Sequence, residues 1–267
     1  MVSAVRGGCG PRPFLSLLTN RVTLKTYSGA PYAATTHSAL QRRLLRNASF
    51  PPRSPQIDSL RMQAAPLVPE VHLFLAEDPM LLWARLEADE GNKLPAPYWA
   101  TAWTGGQAIA RYVIDNPGLV AGRKVLDVAS GSGLVAIAAA IAGAAEVTAN
   151  DIDGYAIAAI QANANANGER IICDPRDLTG GDGADAEVIL AGDCLYSEEI
   201  AEVMLPFIAR AAARGATVLL GDPGRGYAPP SQLETLTTYH LPAMGEAEYG
   251  QHEQASVLIP VAPVPAA

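Results

Sequence analysis

One stretch, V-L-D-V-A-S-G-S-G-L-V-A at residues 125–136, narrows the possible folds more than any other. A hydrophobic strand closes on small residues and opens directly into a helix. Gly131 and Gly133 lack the Cβ that would hold a ligand off the backbone, and a helix N-terminus presents unpaired N–H donors. Around this element, strands and helices alternate at the spacing of βαβ units, which implies a parallel sheet. Strands are predicted at 124–128, 146–150, 170–173, 187–191 and 217–220, with helices at 134–142, 155–165 and 198–214. Strands at 235–241 and 256–261 bring the count to seven, the last two as an antiparallel hairpin joined by a polar, Gly-containing connection.

Upstream, the pattern predicts short amphipathic helices at 70–75 and 80–87, broken at Pro79, and a linker at 91–97. A helix at 107–115 is stopped by Asn116-Pro117-Gly118. The first 61 residues carry nine Lys/Arg and one acid, Asp58, a net of +8, against −16 for the remainder. Arg-rich, acid-poor and rich in Ser, Thr and Pro, this segment reads either as an organelle transit peptide or as a non-functional extension upstream of an initiator at Met62. In both readings residues 1–61 are a disordered basic extension outside the fold. The expected location is cytoplasmic, or the mitochondrial matrix if the extension is a transit peptide.

The composition, 49% hydrophobic and 17% charged, suits a globular enzyme. The longest apolar run, 134–145, is 12 residues of mostly Ala and Gly, too short and weakly apolar to span a bilayer. Three widely separated cysteines and four scattered histidines suggest neither a disulfide framework nor a metal site. The acidic body disfavours nucleic-acid binding, which needs clustered cations, and suits a basic or lysine-bearing partner. A monomer is expected.

Gly131-Ser132-Gly133 followed by Ala136, with Asp151 twenty residues beyond Gly131, also fits the dinucleotide fingerprint, so a nicotinamide dehydrogenase has to be weighed. Three carboxylates favour a different cofactor. Asp127 lies inside the first strand, Asp151 ends the second and Asp193 ends the fourth, so all three face one crevice at the strand ends. Several acids repel a pyrophosphate but suit a cation. S-adenosylmethionine carries a sulfonium and an ammonium, and a lysine acceptor brings another amine.

Five ordered blocks carry a closer resemblance: P-Y-W-A-T-A-W-T-G-G-Q-A-I-A-R-Y (97–112), V-L-D-V-A-S-G-S-G (125–133), A-N-D-I-D (149–153), L-A-G-D-C-L-Y (190–196) and L-G-D-P-G-R (220–225). Together with V-P-E-V-H-L (68–73), they make the chain resemble the class I methyltransferases of the lysine-directed branch, especially the electron-transfer-flavoprotein β-subunit lysine methyltransferases and their bacterial relatives. The resemblance implies an α/β, doubly wound, mostly parallel seven-stranded Rossmann-like sheet over 98–267. A terminal antiparallel hairpin closes it, and a short N-terminal helical lead-in with its linker occupies 62–97.

It also implies roles. Asp127 and the Gly131–Gly133 backbone would hold the methionine end of S-adenosylmethionine, Asp151 the ribose and Asp177 the adenine amine. Trp103 and Gln107 would flank the cofactor. Asp193 and Tyr196 match the family's D-x-x-Y acceptor motif and are the expected catalytic pair, while Asp222 and Arg225 would shape the mouth for a protein substrate. One departure is Ala129, where many class I enzymes have the first glycine of the loop.

The expected function is therefore S-adenosylmethionine-dependent protein-lysine N-methylation, with the electron transfer flavoprotein β subunit or a similar protein as partner. An aspartate is a poor base for an ordinary lysine, given values of about 3.9 and 10.4. Asp193 is therefore expected to orient the amine, with the proton lost to water. Two rivals stand beside this reading: a methyltransferase of small nicotinamide-like amines, and a non-catalytic adaptor that only binds the cofactor.

Overall fold

The computed structural model describes residues 60–241 and 253–261. The described chain begins with an antiparallel hairpin, β1 (Leu60–Ala65) and β2 (Val68–Ala76), followed by helix α1 (Pro79–Glu90) and, after a single 3-10 turn at Tyr98–Ala100, helix α2 (Thr104–Asp115). The alternating part follows: β3 (Lys124–Val128), α3 (Leu134–Ile141), β4 (Glu146–Asn150), α4 (Gly154–Ala166), β5 (Ile172–Asp174), β6 (Val188–Gly192), α5 (Glu198–Ala213) and β7 (Thr217–Asp222). Strands β8 (Leu233–His240) and β9 (Gln254–Pro260) complete it.

Seven strands form one sheet in the order β5-β4-β3-β6-β7-β9-β8. The five strands β3 to β7 run parallel, and the β8–β9 hairpin closes the edge antiparallel to β7, as expected from the sequence. One face buries Val125, Val147, Val188, Leu190 and Leu219 under α2, α3 and α4. The other buries Leu126, Val128, Ile189, Val218 and Leu220 under Met204, Phe207 and Ile208 of α5. The strands are hydrophobic on both faces because both are covered. Chain order reverses at β3, whose neighbours are β4 and β6, so a ligand crevice opens at the carboxyl ends of these strands.

The lead-in is only half helical. Residues 70–75 lie in strand β2, not in a helix. Val71, Leu73 and Leu75 alternate inward with period 2 and pack on Ala110 of α2, Leu134, Ile137 and Ala138 of α3, and Ala164 of α4. Strand β1 supplies the pairing, with Leu60 opposite Ala76 and Ala64 opposite His72, so the boundary drawn between residues 61 and 62 falls inside β1. The free edge of β2 is met by side chains of α4 and of its C-cap residue, Asn167. Phe74 N–H donates to Asn163 Oδ1 at 2.8 Å and His72 N–H to Asn167 Oδ1 at 2.9 Å, while Asn167 Nδ2 returns a bond to the His72 carbonyl at 2.6 Å. Helix α1 forms where expected, because Asp78 caps it through Met80 and Leu81 N–H, Pro79 occupies the first turn, and Gly91 ends it in the left-handed conformation.

Most of the basic extension, residues 1–59, and the polar connection between β8 and β9 lie outside the described residues. Among the described residues, no helix is long and apolar enough to cross a membrane.

Candidate active site

The glycine loop between β3 and α3 has three left-handed residues, Ala129 (φ 54°), Gly131 (φ 54°) and Gly133 (φ 84°). Ala129 therefore keeps the shape that a glycine would give, at the cost of a Cβ held in the left-handed region. Ala129→Gly is expected to raise stability by about 1 kcal/mol, because that conformation penalises an L side chain by about 1–2 kcal/mol and the gain is partly offset by chain entropy. Paired thermal melts check it, and an unchanged or lowered midpoint would show that the loop carries no strain.

The loop is tied to its surroundings at every turn. Gly131 N–H donates to Asp151 Oδ2 at 2.9 Å, and Ser130 N–H to the Asn150 carbonyl at 3.0 Å. Asn163 Nδ2 donates to the Ser132 carbonyl at 2.7 Å, so one buried asparagine joins the glycine loop to the hairpin. Asp127 is 1% exposed. Its Oδ2 accepts from Ser130 Oγ at 2.5 Å and Ala136 N–H at 3.1 Å, while its Oδ1 is buried without a partner. Burial pushes this carboxyl up to about 7, opposed by its two hydrogen bonds and reinforced by the charge of Asp151. A buried, unpaired carboxylate oxygen is costly unless a ligand supplies a donor or a cation. S-adenosylmethionine, with an ammonium and a sulfonium, fits this donor set, whereas a pyrophosphate does not.

Asp151 directly follows β4 and accepts from both Gly131 and Asp153 N–H, and burial raises its carboxyl. Beside it, Asp153 caps α4 through Tyr155 N–H and is pushed up to about 6 by burial. Asp177 is exposed in the loop after β5, where its Oδ1 accepts from the Thr179 N–H and hydroxyl. Gln107 is placed elsewhere than expected. It is fully buried, with Nε2 donating to the Ala102 carbonyl at 2.7 Å and Oε1 accepting from Leu67 N–H at 3.1 Å, so it ties α2 to the hairpin turn instead of flanking the crevice.

Asp193 sits at the end of β6 with a left-handed φ of 52°. Its carboxylate does what the local sequence of α2 cannot. The N-cap residue there is Trp103, which offers no side-chain acceptor, and Asp193 Oδ2 instead receives Gly106 N–H at 2.8 Å. Its Oδ1 pairs with Arg225 Nη1 at 2.7 Å, and the guanidinium lies 5.8 Å from the centroid of the Trp103 ring. Burial raises the Asp193 carboxyl, against the pull of Arg225 and the Gly105 and Gly106 amides. Tyr98 stands edge-on to Trp103 at 5.9 Å and meets the ring of Tyr196 at 5.7 Å. Desolvation pushes the Tyr196 hydroxyl up to about 12, so it is a neutral phenol rather than a base near pH 7.

Three glycines, Gly105, Gly192 and Gly221, make this arrangement possible. A Cβ on Gly221 would overlap the Gly105 carbonyl, one on Gly105 would overlap the Gly221 carbonyl, and one on Gly192 would come within 2.6 Å of Gly106 Cα. The first turn of α2 therefore rests backbone against backbone on the ends of β6 and β7. The sequence reading passed over these residues. The signal was a G-G at a helix start and a G-D closing each of two strands, at 192–193 and 221–222.

Comparison with known proteins fits this geometry. The family model described as Ribosomal protein L11 methyltransferase (PrmA) matches residues 111–217. An electron transfer flavoprotein beta subunit lysine methyltransferase of Danio rerio is 38% identical over 191 residues, 69% of this chain and 73% of the relative. The chain belongs to that family. The Mus musculus member is 36% identical over 188 residues, covering 68% and 73%, and a Caenorhabditis elegans homolog is 32% identical over 196 residues, covering 65% and 76%. The protein is thus a lysine methyltransferase that uses S-adenosylmethionine and acts on a protein substrate.

Proposed function

We propose that this methyltransferase acts on lysine side chains of the electron transfer flavoprotein β subunit or a closely similar protein. The observation that carries the site assignment is the crevice at the ends of β3, β4 and β6, where the buried, unpaired Asp127 Oδ1 adjoins a left-handed glycine loop. Asp127 and the Gly131–Gly133 backbone hold the methionine end of the donor, Asp151 holds the ribose, and Asp177 receives the adenine amine. Trp103 flanks the donor, and Asp193 with Tyr196 borders the acceptor. When bound, S-adenosylmethionine supplies an electrophilic methyl carbon on a sulfonium. The protein's own task is to bring an amine nitrogen to about 3–3.5 Å from that carbon, in line with the sulfur.

The substrate itself is supported by the names of the relatives, and the net charge of −16 beyond residue 61 supports a basic or lysine-bearing partner over nucleic acid. The same reading makes the enzyme a monomer, located in the cytoplasm or, if residues 1–61 direct it there, in the mitochondrial matrix. Incubation with methyl-labelled donor and purified electron transfer flavoprotein β subunit is expected to place label on lysine, seen by mass spectrometry of the digested product. Label on a small amine instead, or on other proteins of a matched lysate but never on this one, would overturn the substrate assignment.

A further inference from the structure

A carboxylate beside an aromatic face is what binds an organic cation. Asp193 and Trp103 make such a pair at the acceptor end of the crevice, but the place is taken by the protein's own Arg225. Its Nη1 lies 2.7 Å from Asp193 Oδ1 and its guanidinium 5.8 Å from the Trp103 ring centroid. Side-chain exposures of 17% for Arg225 and 8% for Asp193 make this a pair inside the site, not a solvated surface bridge. The other Asp193 oxygen is occupied by the first turn of α2. We propose that Arg225 sets the charge of the acceptor site: paired with Asp193 over Trp103, it fills the place of an ammonium, so the lysine side chain enters as the neutral amine.

This deepens the lysine-methyltransferase reading and rests on it. Only the neutral amine has a lone pair to give. Its nitrogen forms a bond to the methyl carbon as the carbon–sulfur bond breaks, with that electron pair staying on sulfur as the neutral thioether. The nitrogen, now a methylated ammonium, releases its proton to water. A bare Asp193 carboxylate would oppose this by holding the lysine protonated. An ion pair does not, and the nearby guanidinium repels a second cation. The other ionisable groups facing this end are Asp222 from β7, whose Oδ2 accepts Gly224 N–H, Asp127 and Asp151 from β3 and β4, the phenols of Tyr98 and Tyr196, and the Cys194 thiol.

The test is Arg225→Gln, which keeps an N–H donor for Asp193 and removes the charge, beside Arg225→Lys, which keeps the charge. Single-turnover methylation of a lysine-bearing protein at saturating donor is followed against pH. The rising limb is expected to move up by about 1–3 pH units in Arg225→Gln, the range for one nearby charge. Each unit costs about tenfold in rate below the limb, since one pKa unit is a factor of ten in the neutral fraction. Arg225→Lys should keep the wild-type limb. Separately, n-butylammonium, the lysine side chain alone, should bind Arg225→Gln at least about tenfold more tightly than the wild type, because a place for a cation is opened.

A uniform loss of rate with the limb unmoved would overturn the proposal, as would equal butylammonium binding by the two proteins. The Arg225→Lys measurement stands even if the uncharged variant is unstable, because a shifted limb there overturns the proposal as well. If the wild type methylates no lysine at all, the functional reading is what fails, and butylammonium binding still decides the role of Arg225.

Discussion

Gly221→Ala is expected to lower stability by about 3 kcal/mol or more, at the upper end for an overpacked site. The added methyl would overlap the Gly105 carbonyl, a backbone group that cannot turn aside as a side chain can. Either α2 lifts off the ends of β6 and β7 or β7 bends, and both routes disturb Gly105 and the bond from Gly106 N–H to Asp193. A loss of that size corresponds to a fall in melting midpoint of about 6–12 °C for a domain of this length. Gly118→Ala is the matched control, since its Cβ would meet nothing within 4 Å. It should stay within about 0.5 kcal/mol of the wild type. If the two variants melt alike, the backbone contact between α2 and the sheet is not what holds the site together.

Asp193→Asn should have a comparable effect on stability and a larger one on catalysis. Removing one partner of a buried ion pair costs about 3–5 kcal/mol, because Arg225 is left without its counter-charge. Asparagine can still accept Gly106 N–H, so α2 keeps its cap while the guanidinium loses its anchor. Methyl transfer should fall by about 100-fold or more, the scale of a misplacement of about 1 Å in the acceptor. The double variant Asp193→Asn/Arg225→Gln should be more stable than the sum of the single losses, since the two residues form one unit. Thermal melts of the four proteins and single-turnover rates measure both effects. Strict additivity would mean that the pair contributes no coupling energy, and a normal rate in Asp193→Asn would remove the residue from the acceptor site.

The sequence reading expected Asp193 to orient the amine, and gave no sign of its bonds to Gly106 and Arg225. Its partners lie 87 residues before it and 32 after it, and no local pattern joins them. The parallel core was legible because β6 and β7 are near-continuous apolar runs and the strands alternate with helices at βαβ spacing, and the glycine loop was legible because backbone shape there depends on residue type. Ala129, the one departure from the family's glycine pattern, is nonetheless left-handed. The lead-in was misread because the pairing of β2 comes from β1, whose L-R-M-Q-A-A has no strand signal of its own. Val68 and Val71 also mimic helical spacing before the period-2 run Val71, Leu73, Leu75 begins. Gln107 was tied to the cofactor only through the resemblance, and its side chain bonds the Ala102 carbonyl and the Leu67 amide of the hairpin turn instead.

The attachment of the hairpin to α4 has its own consequence for how this sequence can change over time. Asn163 and Asn167 grip the main chain of β2, through the amides of Phe74 and His72 and the His72 carbonyl, and touch none of its side-chain polar groups in doing so. Every residue except proline offers the same amide to such a grip. Outward positions of β2 such as His72 are therefore free to drift, while the chemical constraint falls on two amides of a helix far along the chain. Variation in the strand and invariance in the helix would be two sides of one contact.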